Sequence, residues 1–232
     1  YITRDINKAI YYFEIAANQN LSKAQFALAL IYEEGKIINQ DINKAIHYYE
    51  AAANQNYPDA IYNLGLIYYE GKYVSQDINK AIRYFLSASN LNQPQAQFFI
   101  GIIYFLGLFV QQNIYRGIYW ISQSSNNNFI DAYFSLGFLY HEGKHIKQDI
   151  NKSIHFYKEA SSFNNQYAKN NLGIIYKYGF KDIIKKNLKN AKIYFKESIK
   201  QKDNPVSMFN LAHIYIFEDL TEKSINKSID LL

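Results

Sequence analysis

The segment whose residue types and spacing could support hydrolysis is His141-Glu142-Gly143-Lys144-His145. Two histidines four residues apart, with a glutamate after the first, can hold zinc and supply a general base when they share one face of a continuous helix. The chemistry therefore depends on what element carries these residues. Asn20-Leu21-Ser22, Asn151-Lys152-Ser153 and Asn226-Lys227-Ser228 read formally as glycosylation acceptors. No Gly-rich phosphate loop, nucleophile elbow or paired-carboxylate arrangement is present in the sequence.

The elements that would position these groups are set by an internal repeat. Asp-Ile-Asn-Lys-Ala-Ile begins at Asp5, Asp41 and Asp77, with variants at Asn113 and Asp149. Aligned on the small residue, the copies sit at Ala9, Ala45, Ala81, Gly117, Ser153, Ala191 and Ser228, spaced by 36 residues four times and then by 38 and 37. An interleaved motif, Leu64-Gly65-Leu66-Ile67-Tyr68-Tyr69-Glu70-Gly71, has counterparts starting at Leu28, Ile100, Leu136, Leu172 and Leu211. Tyr32, Tyr68, Tyr104, Tyr140, Tyr176 and Tyr215 hold one fixed place in it.

Each unit reads as two helices. In the clearest copy, helix A spans about 58–70, opening on Pro58 and ending at Gly71. Helix B spans about 77–90, capped by Asp77, and the recurring Asp-x-x-Lys reads as a helix cap followed by a solvated lysine. Apolar residues at three-, four- and seven-residue spacing give each helix a buried stripe, which stacked pairs cover for one another. This register places His141 and Glu142 in the last turn of a helix A and His145 beyond Gly143, so the zinc pattern reads as a chance match. Two of the three sequons fall where Ser replaces a core-facing Ala, a poor acceptor position. The reading is non-enzymatic, with no metal and no cofactor.

These residues resemble the Sel1-like repeat, a relative of the tetratricopeptide repeat. Its pattern, A-x-x-x-L-G-x-x-Y-x-x-G and then D-x-x-K-A-x-x-Y-x-x-A-A, appears here as Ala60, Leu64-Gly65, Tyr68, Gly71, Asp77, Lys80-Ala81, Tyr84 and Ala88. A second glycine common in the family is replaced by Ile37, Tyr73, Phe109 or His145, and the last helix A has Glu218 where the others have Gly. The resemblance implies an all-α fold: a right-handed α-solenoid of antiparallel helix pairs, with about 13 helices in one array over residues 1–232. The expected units are a helix B at 5–18, then pairs at about 22–54, 58–90, 94–126, 130–163, 166–201 and 205–232. Neither end carries a polar cap, so the chain reads as a fragment of a longer protein. The resemblance further implies an interaction scaffold or adaptor for a protein or peptide. The alternative is a docking or regulatory array of a larger enzyme, such as a kinase.

Composition is consistent with this. With no Cys there is no disulfide framework, and with no visible signal peptide a cytoplasmic location is favoured. The longest apolar run, residues 98–110, is too short to span a membrane. Residues 144–202 carry 14 Lys and 4 acidic side chains. Lys185, Lys189, Lys192, Lys196 and Lys200 follow helical spacing and suggest one face, either solvated or docking an acidic partner. Nucleic acid is disfavoured because this segment has no Arg.

From Tyr84 to Ile130 the only charged side chain is Arg116, while Phe98, Phe99, Phe105, Phe109, Tyr115, Tyr119 and Trp120 fall in the same span. Such a span suggests a surface for a partner or for self-association. If helix A lines the concave face, Phe26, Tyr62, Phe98, Phe134 and Phe209 point into the groove, joined a turn later by Tyr69, Phe105 and His141. These aromatics either form a binding ladder or pack between repeats; the sequence leaves both open.

Overall fold

The computed structural model describes residues 5–200 and 204–218. By contacts the chain forms two compact units, Tyr1–Asn127 and Asn128–Leu232. The first holds α1 (Ile6–Asn18), α2 (Ser22–Glu34), α3 (Ile42–Ala53), α4 (Pro58–Glu70), α5 (Ile78–Asn90), α6 (Pro94–Leu106) and α7 (Ile114–Asn126). The second holds α8 (Ile130–Glu142), α9 (Ile150–Ser162), α10 (Gln166–Tyr178), α11 (Leu188–Ile199) and α12 (Pro205–His213), which runs into a π-helical turn, Ile214–Glu218. Even-numbered helices are of type A and odd-numbered ones of type B. The last helix B expected from the sequence lies outside the described residues, as does its sequon at Asn226.

Local chemistry fixes the helix ends. Asp5, Asp41, Asp77, Asn113, Asp149 and Asn187 each cap a helix B by accepting from the backbone N–H three residues on, at 2.8–3.0 Å. Four A helices, α2, α4, α6 and α8, end on a left-handed glycine; Gly71 has φ +64°. The helix opened by Pro205 has no such glycine, and its last turn widens into the π turn instead. Between one repeat and the next, Asn20, Asn56, Asn92, Asn128 and Asn164 all take positive φ of 58–66°. Asparagine tolerates that conformation better than other side-bearing residues, which gives the recurring Asn a structural role.

Inside each repeat the two helices approach closely through a small residue. Gly65 lies against the Phe85 ring, Gly137 against Tyr157 and Gly173 against Phe195. A Cβ at any of the three would come within 2.5–2.6 Å of the ring. The rings they admit, and the alanines Ala45, Ala81 and Ala191 of the B helices, are fully buried. Leu28, Leu64, Ile100 and Leu172 fill the core from the A side, none of them exposed.

Candidate partner-binding surface

In four of the A helices the fixed tyrosine braces the paired helix B. Its ring stacks on a helix B ring: Tyr32 on Tyr48 at 5.9 Å, Tyr68 on Tyr84 at 5.8 Å, Tyr140 on Phe156 at 5.7 Å and Tyr176 on Tyr194 at 5.7 Å. A cation from the helix B motif lies over the same ring. Lys44 stands 4.9 Å from Tyr32, Lys80 3.8 Å from Tyr68, Arg116 4.2 Å from Tyr104 and Lys152 5.1 Å from Tyr140. The Asp-x-x-Lys lysine is therefore not simply solvated. It covers an aromatic face, because the Asp cap fixes the first turn of helix B beside the last turns of helix A.

On the other side of helix A, successive repeats build small clusters around the buried helix B ring. In the first, the Tyr49 hydroxyl donates to Glu33 at 2.5 Å and accepts from Asn63 at 3.0 Å. In the second, Phe85 replaces Tyr49 and the polar partners become rings, with Phe99 at 4.8 Å and Tyr69 at 6.2 Å. In the unit beginning at Asn128, Tyr157 accepts from Asn171 at 3.0 Å and carries His141 edge-on at 6.4 Å. The next repeat places Lys177, 1% exposed, with its ammonium donating to Asn210 at 3.1 Å.

Burial, and then the neighbouring Glu33 carboxylate, push the Tyr49 hydroxyl above its ordinary pKa. Burial does the same to Tyr157 and holds the His141 imidazole below its ordinary value. Polar rings thus meet Asn 14 residues on, and an apolar ring meets Phe. Composition alone did not show this pairing, although Tyr49/Asn63, Phe85/Phe99 and Tyr157/Asn171 were visible as a 14-residue correlation.

Tyr62, Tyr69 and Phe109 come together in the first unit: Tyr62 packs on Phe85 at 5.8 Å and Tyr69 meets Phe109 at 6.2 Å. Phe98 and Phe105 are half-buried in the same unit, and the Phe105 backbone packs against Gly117. Phe134 and His141 come together in the second unit around Tyr157, with Tyr167 6.2 Å from Phe134 and Phe180 5.9 Å from His141. Phe26 likewise packs on Tyr49 and Tyr57. Phe26, Tyr62 and Phe134 therefore repeat one packing contact between the A and B helices, while Phe209 is 63% exposed.

Three sequence expectations change. Trp120 is not a surface ring but lies in the core, 9% exposed. Phe99 is packed on Phe85 and Tyr69 rather than displayed. Lys185 does not share the helix face of the other four lysines. Helix α11 starts at Leu188 under the Asn187 cap, leaving Lys185 in the preceding segment, where Phe180 and Ile184 pair as a β-bridge. Lys200 caps the helix, Lys189 is exposed, and Lys192 and Lys196 lie 5.3 and 5.8 Å from the Tyr215 ring.

His141 and Glu142 close α8, Gly143 is left-handed, and His145 falls in the loop, so the two histidines do not share a helix face. Among the described residues no three His, Asp or Glu side chains cluster as metal ligands, and no helix is long and apolar enough to cross a membrane.

Comparison with curated proteins finds no match. Solved structures do match. The chain is 26% identical to a Sel1 repeat protein from Oxalobacter formigenes, with a TM-score of 0.81 over 97% of this chain and 93% of that one. A protective antigen of uropathogenic Escherichia coli strains displaying an SLR fold is 23% identical, with a TM-score of 0.70 over 96% of this chain and 55% of that one. The immunity protein Pa5087 from Pseudomonas aeruginosa shares the fold at 18% identity and a TM-score of 0.53, over 85% and 75% of the two chains. The model of the Sel1 repeat matches residues 1–21, 22–57, 58–93, 94–129, 130–162, 166–203 and 205–232. Seven copies over nearly the whole length, on stacked two-helix units, make this chain a member of the Sel1 repeat family.

Proposed function

We propose that this chain is a non-catalytic scaffold that binds a protein or peptide partner along its A helices, as Sel1 and tetratricopeptide-like repeats generally do. One observation carries the reading. The packing positions of helix A stay nearly constant from repeat to repeat, whereas the half-buried place one turn after the motif Leu runs Glu33, Tyr69, Phe105, His141. The packed ring of helix B explains only part of this change: Glu33 and His141 both meet a buried tyrosine, Tyr49 and Tyr157, yet one is an acid and the other an imidazole. A row of differing chemistry on a regular frame is what recognition of an irregular partner requires. Aromatic anchors also supply much of the energy in such contacts.

In the first unit Tyr69, with Phe109 beside it, is the proposed anchor; Phe98 and Phe105 continue the A-helix row. Tyr62 and Phe134 support it by holding the helix B rings in place. In the second unit His141 occupies the equivalent place.

The test is selection of binding peptides from a displayed random library on the purified chain, followed by calorimetry on wild type and Tyr69→Glu. Selected ligands should lose at least tenfold in affinity for the variant, equivalent to about 1.4 kcal/mol. Ligands that bind the variant as tightly as wild type would remove Tyr69 from the site. Failure to select any ligand would count against the scaffold reading itself.

A further inference from the structure

The connection between α6 and α7 departs from the rest of the chain in a way that fold alone does not demand. At this turn three other repeats carry a charged pair around the terminating glycine: Glu34-Gly35-Lys36, Glu70-Gly71-Lys72 and Glu142-Gly143-Lys144. In the first of them Lys36 and Glu34 are paired at 3.1 Å. Here the pair is replaced by Leu106-Gly107-Leu108, followed by Phe109. On α7, Tyr115 stands where Asn43, Asn79 and Asn151 stand, and Tyr119 where His47, Arg83 and His155 stand.

All five substituted side chains are exposed. Leu106 is 55% exposed, Leu108 39%, Phe109 60%, Tyr115 82% and Tyr119 55%. Phe109 also holds φ at +62°, which Ile37, Tyr73 and His145 at the same repeat position do not. A bulky residue in the left-handed region is an outlier that persists only when its surroundings impose it. The same turn also carries a backbone bond from the Leu108 N–H to the Ile103 carbonyl at 3.0 Å. The turn thus leaves the Phe109 ring 60% exposed at one end of the α6–α7 pair, with Tyr69 6.2 Å away on its covered side.

We infer that this end of the α6–α7 pair is a self-association surface, and that its occupant is the same surface of a second copy of the chain. Two observations select a second copy. The first is charge. Arg116 is the only charged side chain from Tyr84 to Ile130, and its guanidinium lies over Tyr104. An isologous contact here joins two uncharged surfaces, whereas the Glu-Gly-Lys turns of the other repeats would each need a charged counterpart. The second is area. Side chains of these types expose roughly 150–250 Å² each when free, so the five supply about 600 Å² per copy. Two copies then bury about 1,200 Å², the lower edge of specific interfaces, which fits a weak, reversible dimer. This surface shares Phe109 with the Tyr69 anchor but is otherwise made of residues outside the helix A row, and the variants that test it leave Tyr69 and Phe109 in place.

Sedimentation equilibrium of the purified chain, from low micromolar to submillimolar concentration, tests the inference. The mass should rise from the monomer value of 27.2 kDa toward twice that. The variant Leu106→Glu/Leu108→Lys/Tyr115→Asn restores residues that three other repeats already carry in the same fold. It should stay monomeric across the range with an unchanged helical circular dichroism spectrum. Tyr115→Asn alone should weaken the dimer severalfold. A wild-type chain that stays monomeric at the highest concentration overturns the inference. So does a dimer that survives the triple substitution, or one that Tyr115→Asn leaves untouched.

Discussion

Gly65→Ala gives a prediction in which two known effects oppose each other. Helix propensity alone says that replacing a mid-helix glycine by alanine stabilises by about 1 kcal/mol. Packing says the reverse. The added methyl would stand 2.6 Å from Phe85 Cε1 and 2.7 Å from Cδ1, far inside van der Waals contact. Phe85 cannot swing away, since it is fully buried and wedged against Phe99 at 4.8 Å, Tyr62 at 5.8 Å and Tyr69 at 6.2 Å. Overpacking of this kind costs about 1–3 kcal/mol, and the rigid Phe85 surroundings put Gly65 at the upper end, so after the propensity gain the variant should lose up to about 2 kcal/mol. Equilibrium urea denaturation measures it as a lower midpoint at unchanged slope. Phe85→Leu in the same background should couple favourably, the double variant losing less than the two single losses combined. A Gly65→Ala protein about 1 kcal/mol more stable than wild type would refute the close helix approach at this crossing.

Two further predictions concern the caps and the half-buried His141 imidazole. Asp77→Ala removes the acceptor for the Lys80 N–H at 2.8 Å and should cost about 1 kcal/mol in the same urea assay, while Asp77→Asn, which reproduces the cap at Asn113, should cost little. For His141, burial lowers the folded-state pKa, so the unfolded chain binds the proton more readily. Stability from this residue is therefore complete above the unfolded value, about 6.5, and is lost as pH falls through it toward the folded pKa. Melting temperatures recorded between neutral and mildly acidic pH should fall more steeply for wild type than for His141→Phe; parallel curves would dismiss the burial effect.

Much of the frame was legible from residue spacing. Helix A of the clearest copy was expected at about 58–70 and spans Pro58–Glu70, and Asp77 caps the helix that follows, because proline, glycine and aspartate act through short-range backbone geometry. The placement of His145 beyond Gly143 followed from the same logic.

What spacing did not reveal depends on neighbours distant in sequence. The lysine of Asp-x-x-Lys lies over a tyrosine from the preceding helix, a contact that only the paired helices create. Gln40, Gln76, Gln112 and Gln148 donate to the carbonyls of Glu33, Tyr69, Phe105 and His141 at 2.7–2.9 Å, tying each loop to the end of helix A. These glutamines recur just before the helix B cap, but polarity alone gives no hint of their acceptors. Trp120 looked like a displayed ring because its sequence neighbours are uncharged, yet helix periodicity turns it inward beside Ile121. Lys185 matched the helical spacing of Lys189 and Lys192, but the Asn187 cap starts the helix after it.

The proposed partner lies along the A helices of a regular frame. Hydrogen-exchange mass spectrometry of the chain with and without a selected peptide ligand tests this placement most directly. Binding should slow exchange in α4 and α6, around Tyr69 and Phe105, and leave the B helices α5 and α7 unchanged. Protection confined to the B helices, or spread evenly over both types, would contradict it.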